Sequence, residues 1–129
     1  MDDRRLERLY DYTKFHIGIY LSAAGGLTTL ISLANKDKID MHKYFGLPWA
    51  VGVSLLFMVL AGIAGAVVAT SAIESETYIA FIKSPQSVYG FKLLGKTWVT
   101  TEHACFWVSL AFLLVSVFSA VDVRCWLIS

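Results

Sequence analysis

Residues 44–73 read YFGLPWAVGVSLLFMVLAGIAGAVVATSAI, thirty consecutive positions without Asp, Glu, Lys or Arg. A bilayer core about 30 Å thick is crossed by roughly 20 apolar residues of helix. This run is longer than needed and can give up its ends to the interface. Backbone polar groups in lipid must bond within their own segment, which a helix achieves alone. Residues 48–73 are therefore expected to form a transmembrane helix. Pro48 should open it, because a proline in the first turn sacrifices no helical hydrogen bond.

Two further stretches lack charge. Residues 17–34 read IGIYLSAAGGLTTLISLA, and residues 104–121 read ACFWVSLAFLLVSVFSAV. Each is 18 residues long, near the short end for a span. No period-two alternation separates the runs, which excludes a β-barrel. The composition agrees. Of 129 residues, 57% are hydrophobic and only 16% charged, with net charge +1. Soluble domains carry about 25% charged residues. Too little polar sequence remains to coat three apolar helices in water. Disorder would need low hydrophobicity and high net charge, and a near-neutral balance gives no general pull toward nucleic acid.

The expected architecture is an all-α integral membrane protein with three transmembrane helices and a short amphipathic N-terminal segment. Residues 1–16 form that segment, 17–34 the first span, 35–47 an outer loop and 48–73 the second span, continuing as helix to about residue 84. Residues 85–103 form an inner interfacial loop, 104–122 the third span and 123–129 an outer tail. Leu6, Leu9, Tyr10, Tyr12 and Phe15 alternate with charges at roughly helical spacing. Residues 1–16 thus suit either a helix lying on the membrane surface or a plain extension of the first span. Asp2, Asp3, Glu7 and Asp11 make this segment too acidic for a signal-peptide start. Gly90 and Gly95 argue against one continuous helix through the inner loop. Tyr89, Phe91, Trp98 and Trp107 are expected as interfacial aromatic anchors.

Lys and Arg set the expected orientation. Arg4, Arg5, Arg8, Lys14, Lys83, Lys92 and Lys96 fall on the side of the N-terminus and second loop, against Lys36, Lys38, Lys43 and Arg124 on the other. The excess favours a multi-pass protein of the cell membrane with a cytoplasmic N-terminus.

Helices in lipid associate by close packing and interhelical hydrogen bonds. Gly18, Ser22 and Gly26 lie four apart in the first span, as do Ala61, Gly65 and Ala69 in the second. These lines are expected either to pack the chain's own helices or to meet another copy. Ser109, Ser116 and Ala120 are less regular. Every polar residue inside the charge-free stretches is a weak Ser or Thr, which argues against a pump or proton-coupled transporter.

Chemistry-bearing residues gather near the inner ends of the spans. Asp11, His16, Glu74, Glu102 and His103 fall at one expected depth, a set able to hold a metal, or haem through the two histidines. The competing expectation is that they mark the boundary with water, and that Thr100 or Thr101 caps the third helix with Glu102 in its first turn. No H-x-x-x-H, H-E-x-x-H or C-x-x-C spacing occurs, so no metal and no cofactor is assigned. His42 sits in the opposite loop. Cys105 and Cys125 stand at opposite ends of the third span, too far apart to pair within the chain. An intermolecular bond through Cys125 stays open. Hydrolytic and phosphate-loop motifs are absent, and no catalytic residue is assigned.

Three spans in a chain of this size resemble in architecture the haem-binding membrane anchors of succinate dehydrogenase. That family's N-terminal His-Arg-x-Ser-Gly pattern is missing, as is its ligand histidine followed by glycine, so the resemblance carries over no site. The sequence points instead to a non-enzymatic, homo-oligomeric pore or membrane-disrupting effector. An accessory or anchoring subunit of a larger membrane complex is the alternative, and a haem-binding redox subunit a weaker one. The expected partners are the lipid bilayer and either further copies or other membrane subunits, not nucleic acid.

Overall fold

The computed structural model describes residues 4–38, 40–88 and 91–120. Helix α1 runs Arg4–Lys36, α2 Pro48–Glu74, α3 Tyr78–Lys83 and α4 Gly95–Phe118. A short antiparallel pair, β1 (Pro85–Val88) and β2 (Phe91–Leu94), precedes α4, with Pro85 opposite Leu94. The architecture is all-α, and α1, α2 and α4 are each long and apolar enough to cross a membrane.

Helix α1 carries its charged N-terminal turns as a direct extension of the apolar stretch. Pro48 lies in the first turn of α2. The second helix ends earlier than expected, at Glu74 rather than near residue 84. Ser75 takes an extended backbone, and the Thr77 side chain accepts from the Ala80 N–H to start α3 afresh. The chain thus turns back instead of projecting, and Phe81 is fully buried. Helix α4 starts at Gly95, nine residues before the charge-free run. Leu94 occupies its N-cap position, and Thr100 sits inside the helix with its hydroxyl donating to the Lys96 carbonyl, so neither Thr100 nor Thr101 caps it. Glycine at 95 is required by contact: a Cβ there would overlap the Phe81 backbone.

Helix α2 is central. Ala50, Val51, Ser54, Met58, Ala61, Ala64, Gly65, Val67, Val68, Ser71 and Ala72 are buried, while Leu56, Val59, Leu60 and Ile63 are exposed. At about 100° per residue the buried set covers roughly half the helix circumference. That breadth accommodates α1 and α4 side by side, whose backbones both pack chiefly on α2. The buried positions repeat every seven residues: Thr13, Tyr20, Leu27 and Ala34 on α1, and Gly95, Glu102, Ser109 and Ser116 on α4. A strict heptad is the period of left-handed supercoiled helices.

The distribution of polarity is the reverse of a water-soluble bundle. Ser54, Ser109, Ser116 and Glu102 are inside at 0% exposure, whereas Leu21, Phe15 and Ile73 are outside at 67–68%. A surface this apolar is stable against lipid, and the serines at the contact of α2 and α4 satisfy one another. Ser109 Oγ lies 3.0 Å from Ser54 Oγ and donates to the Ser54 carbonyl at 2.7 Å. At the far end, the Gly46 N–H donates to the Ser116 carbonyl at 2.9 Å, and Ser116 Oγ donates to the Leu47 carbonyl at 2.8 Å. These bonds fasten the first loop to the end of α4.

Candidate functional site

Helices α1 and α4 run in the same direction on either side of α2, and they meet through long side chains over Gly65. Tyr20 donates to Glu102 Oε1 at 3.0 Å. His16 Nδ1 stands 3.3 Å from the Tyr20 hydroxyl and 3.4 Å from Glu102 Oε1. A Cβ on Gly65 would lie 3.0 Å from Ile17 Cγ1 and 3.5 Å from Glu102 Cδ. Glycine there leaves room for the carboxyl group.

Aromatic rings enclose the cluster. Tyr12 packs on His16 at 3.9 Å between centroids and stacks with His103 at 6.0 Å. His16 and His103 meet edge to face at 5.8 Å. Phe106 covers Tyr20 at 5.5 Å. His103 Nδ1 is 2.8 Å from the Val99 carbonyl. A carbonyl only accepts, so that nitrogen carries the proton. The two histidine rings and Tyr12 thus lie against one another between α1 and α4.

Glu102 faces the interior of the bundle. It is completely buried, and its Oε2, like Thr13 Oγ1 about one turn below His16, has no hydrogen-bond partner among the described residues. Gly65, beside it, is nine residues or about 14 Å from Glu74, the first charge at that end of α2. The carboxyl group therefore sits beside the apolar run of α2, although it falls outside every charge-free stretch. An ionisable side chain there is costly unless paired, and such residues face the bundle interior. The remaining acidic candidates, Asp11 and Glu74, are exposed. Among the described residues, no three His, Cys, Asp or Glu side chains are arranged to hold a metal.

The small-residue lines divide between inside and outside. Ala61 and Gly65 are buried and Ala69 is half-buried within the chain's own bundle. Gly18, Ser22 and Gly26 are exposed, and a Cβ on either glycine would meet nothing within 4 Å. Gly18, Ser22, Gly25, Thr29 and Ser32 are all exposed and follow steps of four and three. At about 100° per residue they fall within about 40° of one direction, opposite Tyr20 and Leu27. Helix α1 thus has two seams with the same average period, a large-residue seam facing inward and a glycine-hydroxyl seam facing outward. The spacing of Gly18, Gly25 and Ser32 at seven is the sequence signal for the outer seam; reading at four picked out Gly26 instead.

Trp98 is half-buried near the start of α4. Trp107 is exposed halfway along it. Phe91 opens β2, and Tyr89 and Cys125 lie outside the described residues. Trp49 and Tyr44, exposed at the other end of the bundle, are aromatic positions that the sequence had not singled out. Compared with known protein families, with curated proteins and with solved structures, the chain matches none.

Proposed function

We propose that this chain is a non-enzymatic membrane protein that assembles with copies of itself through the outward seam of α1, and that the assembly forms a pore. The observation that carries this is the second heptad seam. Glycines let another backbone approach closely, and hydroxyls supply interhelical hydrogen bonds. The other outward faces are built differently: Leu56, Val59 and Ile63 on α2, and Trp107, Leu114 and Phe118 on α4, are large apolar side chains suited to acyl chains. Thr28, exposed to one side of the seam, gives α1 an outward hydroxyl that the contact between copies leaves for a pore wall. The hydrogen bond from Tyr20 to Glu102, across the bundle, holds α1 so that this seam faces away from α2.

The test is the mass of the detergent-solubilised complex, with ion flux in liposomes measured on the same preparation. The wild-type chain should form one homo-oligomer and conduct, and Gly25→Leu should lower the mass and abolish flux. A wild-type monomer that does not conduct, or one that purifies only with other chains, would replace the pore with an accessory-subunit role.

A further inference from the structure

The first turns of α1 and the start of α3 form a second polar feature, separate from the Glu102 cluster. A groove there is lined by Arg5, Arg8, Leu9 and Tyr12 of α1 and by Tyr78 of α3. The four α1 residues are spaced three, four and seven from Arg5, so they share one face of the helix. Two guanidinium groups and two phenols line the groove, and among the described residues no carboxylate does. Glu7 and Glu76 line a neighbouring groove with Leu6, Tyr10, Ala72 and Ile73. That neighbouring groove also gives the depth. It places the first turns of α1 level with Ile73, the last residue before Glu74 ends the apolar run of α2. Arg5 and Arg8 therefore stand at headgroup level, on the water side of the exposed Asp11 and Lys14.

The same face of α1 continues into the membrane. After Arg5 and Arg8 come Tyr12, Phe15 and Ile19, at steps of four, three and four from Arg8. Phe15 is 68% exposed and Ile19 39%. Cationic and phenolic groups at headgroup depth thus lead directly into an exposed apolar track. This is the shape of one phospholipid molecule, with its phosphate above and an acyl chain below.

We infer that this groove binds an anionic phospholipid. Arg5 and Arg8 hold the phosphate by charge-assisted hydrogen bonds, for which the planar guanidinium is well matched. Tyr12 and Tyr78 present hydroxyls to the headgroup oxygens, and one acyl chain lies along Phe15 and Ile19. A zwitterionic lipid brings its own ammonium against the two arginines and is disfavoured. The inference is independent of the oligomeric state.

Native mass spectrometry of the whole detergent-solubilised protein, titrated with phosphatidylglycerol or phosphatidylcholine, tests it. Each basic side chain near an anionic lipid surface is worth about fivefold in binding, so Arg5→Gln with Arg8→Gln should weaken phosphatidylglycerol binding about thirtyfold. Phosphatidylcholine binding should barely change. Lys36→Gln with Lys43→Gln, at the opposite end of the bundle, should leave both lipids unaffected. Phe15→Asn should weaken phosphatidylglycerol while leaving glycerol phosphate binding as it was. Tyr78→Phe, a second variant that leaves both arginines in place, should also weaken phosphatidylglycerol. Equal binding of the two lipids by the wild-type chain, or a double arginine variant that keeps its phosphatidylglycerol, would overturn the site. Inorganic phosphate binding as tightly as the lipid would overturn the assignment to a membrane ligand.

Discussion

The Tyr20 hydroxyl and the Glu102 carboxyl group, 82 residues apart in sequence, share a buried 3.0 Å hydrogen bond. It joins two helices whose backbones pack chiefly on a third, and both partners are buried. Water does not reach either partner there, so the bond is worth more in place than its strength in solution would suggest. It also fixes the rotation of α1 and hence the direction of the outward seam.

Removing this bond should loosen α1. Tyr20→Phe leaves Glu102 Oε1 without its donor, and the unfolding free energy in detergent should fall by about 1 kcal/mol. Combined with Glu102→Met, which has no oxygen to accept the bond, a double-mutant cycle should return a coupling of similar size. Zero coupling would mean that the contact contributes nothing to stability.

Glycines on the inner and outer lines should behave oppositely. Gly65→Leu drives a side chain into Ile17 and Glu102, and overpacking of this kind costs about 1–3 kcal/mol. Its thermal midpoint in detergent should drop even when the protein is monomeric. Gly25→Leu enters open space. It should leave the midpoint of the monomer unchanged and alter only association.

The serine pair between α2 and α4 offers a milder test. Ser109→Ala removes the donor to the Ser54 carbonyl and the contact with Ser54 Oγ. A loss of about 0.6–1.7 kcal/mol is expected, the range measured for hydrogen bonds between membrane helices. Ser119→Ala, whose hydroxyl among the described residues donates to the Val115 carbonyl one turn back, should cost less in the same unfolding assay.

Gly46 should tolerate nothing larger. A Cβ there overlaps the Ser119 backbone. Gly46→Ala should push the first loop off α4 and break the bond from the Gly46 N–H to Ser116. Faster hydrogen exchange at Gly46 and at the end of α4 would report it.

The three apolar helices and the start of α2 at Pro48 were legible because both follow from local rules, hydropathy over about 20 residues and the missing proline N–H. The break after Glu74 was not. Nothing in residues 74–84 forbids helix, and the turn is set by the Thr77 cap and by Phe81 docking beneath Gly95. Gly95 looked like a helix breaker, yet it is glycine because Phe81 approaches it. Glu102 looked like a boundary marker because a charge read along one dimension signals water. Its burial depends on the space at Gly65, a residue on another helix. The heptad Gly95, Glu102, Ser109, Ser116 was present in the sequence, and read at seven rather than four it would have put Glu102 on the inner face.

Cysteine scanning along α1 in native membranes tests the outward seam most directly, in a chain with Cys105 and Cys125 replaced by serine. Disulfide-linked dimers should peak for Gly18→Cys, Ser22→Cys, Gly25→Cys, Thr29→Cys and Ser32→Cys, and fall to background for Leu27→Cys and Ala34→Cys. A flat profile, or one that peaks at the inward positions, would contradict the account.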